Sequence, residues 1–81
     1  EQPLSPQERG SEALLMGLRL GEGVDLDRIA AATGLPVERL IVDRGVERLA
    51  ALGLVERRGA RLRVEPRGML LLDAILPQLV A

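Results

Sequence analysis

The spacing of the apolar residues changes at Gly53, and this change restricts the folds that the chain can adopt. Before Gly53 the apolar residues recur three and four positions apart, which is the period of a helix. Residues 61–65 instead alternate charged and apolar side chains without exception, as in a strand with one solvent-facing side. We therefore predict a β-hairpin, with its strands at residues 54–57 and 61–65 and its turn at residues 58–60.

Capping residues mark the beginnings of two helices before the hairpin. Residues 5–8 form a capping box with proline at the first helical position, so the first helix begins there. Gly17 within it indicates close backbone packing. Asp25 is a good N-cap for a short second helix that ends at Gly34. The predicted apolar face of the first helix is Leu14, Leu15 and Leu18, flanked by Met16 and Leu20, and Gly21 with Gly23 ends the helix. The predicted apolar face of the second helix is Leu26, Ile29 and Ala30.

Prolines mark the beginnings of two further helices. Pro36 opens a third helix, which could split at Gly45, and Pro66 starts a last helix, which Pro77 should kink or end within a turn. Their predicted buried residues are Val37, Leu40, Ile41, Leu49 and Leu52 in the third helix, and Leu71, Ala74, Ile75 and Leu79 in the last. Three helices, a hairpin and a closing helix predict one mainly α domain over residues 1–81 that is winged helix-turn-helix-like.

The composition excludes most chemistry from this chain. It has no His and no Cys, so the commonest metal ligands, a thiolate nucleophile and cysteine ligands for an iron–sulfur cluster are all missing. We therefore predict no catalytic residue, no cofactor-binding residue and no metal ligand. No apolar run approaches the roughly 20 residues of a membrane span. A chain that begins at Glu1 without a leader is expected to be a cytoplasmic fragment of a larger protein.

Several short motifs together point to a family. The motifs are LLMGLRL at 14–20, EGVD at 22–25, GLVE at 53–56, LRV at 62–64, PRG at 66–68 and LLLD at 70–73. The first two resemble the start of the C-terminal domain of oxygen-independent coproporphyrinogen III oxidase-like proteins. The later ones are similar to the wing and last helix of that domain, so the resemblance covers nearly the whole chain.

The resemblance implies a non-catalytic accessory domain of a radical S-adenosylmethionine protein in heme biosynthesis or heme trafficking. The branch to which the chain is most similar includes heme chaperones. The 4Fe-4S cluster and S-adenosylmethionine would belong to an upstream radical S-adenosylmethionine barrel of the same protein, on which this domain would pack, and heme would belong to the chaperone branch. No residue here corresponds to the cluster motif or to the heme-associated motif, so no catalytic residue carries over.

Arg19 and Glu22 are the candidate domain-contact or substrate-side residues. An arginine at an apolar helix end can bury its stem and present its guanidinium to a carboxylate or to a substrate propionate. The alternative, which we favour, is a structural salt bridge from Arg19 to Glu22, to Asp25 or to a neighbouring domain.

The alternative function is that of a winged-helix DNA-binding regulator. In that function Arg44 and Arg48 would contact the bases in a DNA groove. The DNA phosphate backbone would be contacted by Arg57, Arg58, Arg61 and Arg63. Residues 44–81 carry seven arginines against four acids, but residues 1–43 carry four against eight, and the net charge is −1. Acids also interrupt the predicted recognition helix, so the charge pattern does not favour nucleic acid as a partner.

Overall fold

The computed structural model describes residues 4–81. Within this range the chain forms helices at both ends and a small sheet between them. The elements are α1 (Pro6–Leu18), β1 (Val24–Asp25), α2 (Leu26–Thr33), a 3-10 turn (Val37–Arg39), α3 (Asp43–Ala51), β2 (Val55–Arg58), β3 (Arg61–Val64), α4 (Pro66–Met69) and α5 (Leu72–Leu79). The mainly α class and the winged helix-like order of elements are as the sequence predicts.

Helix α1 begins at the predicted capping box. The Ser5 hydroxyl accepts a hydrogen bond from the Glu8 backbone N–H at 3.1 Å, and the Glu8 carboxylate accepts one from the Ser5 N–H at 3.0 Å. These bonds satisfy two backbone donors that a helix start otherwise leaves free. The helix buries Leu14 and Leu18 and ends at Leu18, a little before the predicted glycines.

Helix α2 is capped at both ends as predicted. The Asp25 carboxylate accepts from the Arg28 N–H at 3.2 Å. Gly34 ends the helix in the left-handed region, with a φ of 77°, which glycine adopts without steric cost. Leu26 is fully buried, while Ile29 and Ala30 pack against the core from its edge.

The third helix is shorter than predicted, and it does not split at Gly45. The chain forms the 3-10 turn, breaks over residues 40–42, and only then begins α3. The break has a tertiary cause, because the Val42 N–H donates to the Leu79 carbonyl and the Ala81 N–H donates to the Leu40 carbonyl. Backbone groups that would continue a helix are therefore bonded to the C-terminal segment.

One residue predicted to be buried in this region is exposed, and one buried residue was not predicted. Leu52 lies beyond the end of α3 and is 57% exposed, so its predicted burial is wrong. Val46 is buried instead. Gly45 is buried within α3 because α5 crosses there: a β-carbon at this position would overlap the Gln78 carbonyl oxygen.

The predicted hairpin is present, with a third strand beside it. β2 and β3 pair antiparallel around a two-residue loop at residues 59–60, one residue away from the predicted bounds. β1 adds to the other side of β3, with Val24 opposite Leu62 and Asp25 opposite Arg61. Two residues are too short to show an alternating pattern, which is why the sequence did not predict this strand.

The last predicted helix is divided in two. α4 ends at Met69, and α5 begins at Leu72 and ends two residues after Pro77, as the proline predicts. Ile75 and Leu79 are buried as expected, and Leu76 joins them. Leu71 and Ala74 are exposed, so their predicted burial is wrong: Leu71 lies in the break before α5, and α5 buries the face of Ile75, Leu76 and Leu79.

The core lies between α1, α2, α3, α5 and the inner face of the sheet. Its fully buried large side chains are Leu14, Leu18, Leu26, Leu40, Leu62, Val64, Ile75 and Leu79. Gly17 lets α1 approach β1, since a β-carbon there would overlap the Val24 side chain, and this confirms its predicted packing role. Among the described helices, none is long and apolar enough to cross a membrane.

Candidate functional site

The C-terminal end of α1 presents apolar side chains and one cation to solvent. Met16 is 66% exposed and Leu20 is 62% exposed, and Arg19 between them is also exposed. Within residues 4–81, Arg19 forms no ion pair, so the expected bridge to Glu22 or Asp25 is absent. Glu22 lies in the following turn, where its carbonyl oxygen accepts from Arg61 at 2.8 Å. Both candidate residues are thus accessible to another molecule.

A shallow groove, here called the α1–α2 groove, runs between the first two helices. Its volume is about 310 Å³, and its walls are alanine, isoleucine and threonine with an arginine from each helix at the rim. The lining residues are Arg9, Ala13, Arg28, Ile29, Ala32 and Thr33. The sequence analysis did not identify this groove, because Ala13 and Ala32 lie outside the apolar faces that the helical spacing identifies.

The outer face of the hairpin, here called the wing face, is strongly charged but internally paired. It is formed by Glu56, Arg58, Arg61 and Arg63. Arg63 lies opposite Glu56 in the strand register, and its Nε donates to the Glu56 carboxylate at 3.0 Å. The Arg63 Nη2 lies 2.7 Å from the buried Oε1 of Glu65. Arg58 contacts the second Glu56 oxygen at 3.5 Å. The wing face confirms the predicted solvent-facing side of the hairpin.

These pairs change the acidity of the groups that form them. The hydrogen bond from Arg63, together with the charges of Arg58 and Arg63, lowers the pKa of Glu56 below its usual value of 4.5. The same hydrogen bond and the nearby Glu65 charge raise the pKa of Arg63. Both effects favour the ionised pair at neutral pH.

The arginines predicted for DNA contact are mostly engaged within the domain. Arg48 on α3 donates to the Gln78 side chain at 2.8 Å, which ties it to α5. Arg57 lies 3.2 Å from Asp43 and also donates to the Gly59 carbonyl. Arg44 is exposed without an ion pair among the described residues, but Glu47 follows it on the exposed side of the same helix. The predicted recognition helix therefore offers little net positive charge.

The surface also carries an apolar shoulder and a concave acidic region. Leu70, at 88% exposed, and Leu71 form an apolar shoulder between α4 and α5. A separate concave region holds three carboxylates, Asp27, Glu38 and Asp43, next to Arg57. No group of three or more acidic side chains within residues 4–81 is arranged to hold a metal ion.

Comparison with known protein families decides the relationship that the motifs indicate. The chain matches the HemN C-terminal domain over residues 4–71. It belongs to this family. The comparison confirms the resemblance to the C-terminal domain of coproporphyrinogen oxidase-like proteins. No curated protein and no solved structure gives a significant match.

The matched range of this HemN C-terminal domain contains both accessible surfaces near α1. It spans α1 to α4, with the Arg19–Glu22 turn, the α1–α2 groove and the wing face, and it ends just before α5. Family membership implies a partner domain in a parent protein. Within residues 4–81, Arg9, Arg19 and Arg28 near α1 form no ion pair, whereas Arg57, Arg58 and Arg63 of the hairpin do.

Proposed function

We propose that this HemN C-terminal domain is a non-catalytic accessory domain of an oxygen-independent coproporphyrinogen III oxidase-like radical S-adenosylmethionine protein. The observation that carries the proposal is the family match over residues 4–71. In this proposal residues 1–81 form a single domain of a longer cytoplasmic protein. That protein would work in heme biosynthesis or, as a heme chaperone, in heme trafficking.

The chemistry in this proposal belongs to the upstream barrel. The 4Fe-4S cluster and S-adenosylmethionine would be held there, and heme would be bound by the parent protein if it is a chaperone. The present chain supplies no cysteine thiolate and no imidazole for any of these groups. Its contribution would be to pack on the barrel and help to cover the substrate or heme side.

The exposed end of α1 supports a domain contact. Met16 and Leu20 offer apolar area that is lost from water on docking, and Arg19 offers beside them a guanidinium that forms no ion pair within residues 4–81. An interface between domains of one chain commonly combines apolar and polar groups in this way. Arg19 and Glu22 are therefore our candidates for contact with the barrel or with its substrate.

The proposal is tested with two separately purified pieces, this chain and the upstream portion of the same protein. After anaerobic incubation with iron and sulfide, metal analysis should find the cluster in the upstream portion and none in this chain. Titration of the two pieces should show a saturable complex, with an unrelated winged-helix domain of similar size as the control. Stoichiometric iron–sulfur loading of this chain would overturn the proposal, as would the absence of any complex.

A further inference from the structure

The α1–α2 groove combines apolar walls with a positive rim. Ile29 and Thr33 form its half-buried part, whereas Ala13 and Ala32 are exposed along its sides. All these side chains offer methyl groups or short apolar surface. A ligand for this groove must therefore present apolar groups toward the two helices.

The rim arginines differ from those of the wing face. Arg9 and Arg28 come from different helices and line the same groove, and no carboxylate belongs to the groove lining. Neither arginine forms an ion pair within residues 4–81, whereas Arg58 and Arg63 of the wing face do, and Arg61 there donates to the Glu22 carbonyl. Two guanidinium groups beside an apolar trough are complementary to carboxylates placed beside apolar side chains.

The groove continues along the exposed side of α1. Arg9, Ala13 and Met16 are four and three positions apart, so they lie in one row on the helix. This row is about 10 Å long at 1.5 Å per residue. Because Met16 is largely exposed, the row joins the groove to the surface around Arg19. Such a row is typical of surfaces that receive an amphipathic helix or an extended segment.

We propose that the α1–α2 groove binds an acidic amphipathic segment of the upstream portion of the same protein. This inference rests on the proposed function and adds the docking surface and the chemistry of its partner. Carboxylates of that segment pair with Arg9 and Arg28, and its apolar side chains cover Ala13, Met16 and Ile29. The shallow, exposed walls suit a protein segment better than a small ligand, which binding pockets usually enclose.

Charge reversal at the rim tests the proposal. The double variant Arg9→Glu/Arg28→Glu should bind the upstream portion about tenfold more weakly, because its glutamates would face the carboxylates of the segment and like charges across an interface repel. Arg44→Glu is the control, since Arg44 is exposed on α3, does not line the groove and forms no ion pair within residues 4–81. Ala32→Glu is a second variant that places a negative charge in the groove from an exposed position. Circular dichroism of each variant establishes that it is folded.

Amide hydrogen exchange in the complex locates the contact independently. Protection of α1 and α2 on complex formation, weakened binding in both groove variants and unchanged binding of Arg44→Glu would support the proposal. A complex that protects only the wing face or the Leu70 shoulder would overturn this inference and leave the proposed function standing. The absence of any complex would instead overturn the proposed function.

A small carboxylated ligand is the competing occupant, and it has its own test. Coproporphyrin III, which carries carboxylates on an apolar macrocycle, is dialysed against this chain alone. Saturable binding that Arg9→Glu/Arg28→Glu abolishes would assign the groove to a small molecule and overturn the proposed protein segment. No uptake, together with α1–α2 protection in the complex, supports the segment.

Discussion

Single residues decide how closely the helices approach, and Gly45 is the clearest case. From sequence alone, a glycine in a helix suggests a weak point, since it costs about 1 kcal/mol relative to alanine. In the structure it is instead a contact point, because α5 crosses α3 where Gly45 has no side chain. The sequence could not distinguish these roles, since the contact depends on residues more than thirty positions away.

Gly45→Ala should destabilise the domain. The new methyl group would overlap the Gln78 carbonyl oxygen, which is backbone and cannot rotate away, so α5 has to shift. We expect the free energy of unfolding to fall by roughly 1–3 kcal/mol despite the better helix propensity of alanine. Urea unfolding followed by circular dichroism measures the change.

The matched control is Gly21→Ala. A β-carbon at Gly21 meets nothing within 4 Å, and this glycine does not have a positive φ. Its substitution should be neutral or slightly stabilising, because it restricts the unfolded chain. Equal effects at Gly21 and Gly45 would contradict the close contact between α3 and α5.

At the scale of elements, the sequence predicted where helices begin better than where they end. The capping box at Ser5 and the N-cap at Asp25 depend on side chains within three residues, and both are present. The break in the third helix depends instead on a distant partner, since the Val42 N–H donates to the Leu79 carbonyl. Local sequence carries no information about such bonds.

The hairpin should lose stability in acid through its cross-strand pair. Because the pKa of Glu56 is lowered in the folded state, its contribution is fully present above the ordinary value of 4.5 and is lost as the pH falls through the lowered folded-state pKa. Glu56→Gln should therefore show a smaller decrease in its thermal midpoint over that acid range than the unsubstituted chain. Thermal unfolding at a series of pH values measures this difference.

Glu47→Gln provides the comparison for Glu56. Glu47 is exposed on α3 and forms no ion pair within residues 4–81. Its substitution should leave the pH dependence of the midpoint as it is in the unsubstituted chain. If the two variants behave alike, the Arg63–Glu56 pair does not contribute to the acid sensitivity.

For the whole molecule, the fold class and the family followed from sequence, whereas the surfaces did not. Periodicity and capping indicate which side chains are buried, and the short motifs indicate the relationship. The α1–α2 groove depends instead on how two helices pack, and the exposure of Leu70 depends on a helix division without a local signal. The structure also leaves the expected Arg19 salt bridge unformed within the described residues.

The charge distribution of the whole domain predicts that it does not bind DNA. Net charge is −1, and most arginines of the wing and of α3 are held by carboxylates or by Gln78. We expect no retardation of duplex DNA at low salt, where counterion release would favour binding most strongly. Salt-dependent binding that weakens in Arg58→Ala/Arg61→Ala would contradict this and favour the regulator alternative.

The wholly aliphatic core has an optical consequence. Because the chain contains no Trp, Tyr or Phe, it has almost no near-ultraviolet absorption and no intrinsic fluorescence. Any coloured or fluorescent signal from a mixture with a tetrapyrrole or an iron–sulfur protein would therefore arise from the other component. In the variant Leu70→Trp the tryptophan would be the only intrinsic fluorophore of the chain, and its emission maximum would report whether the exposed shoulder becomes covered.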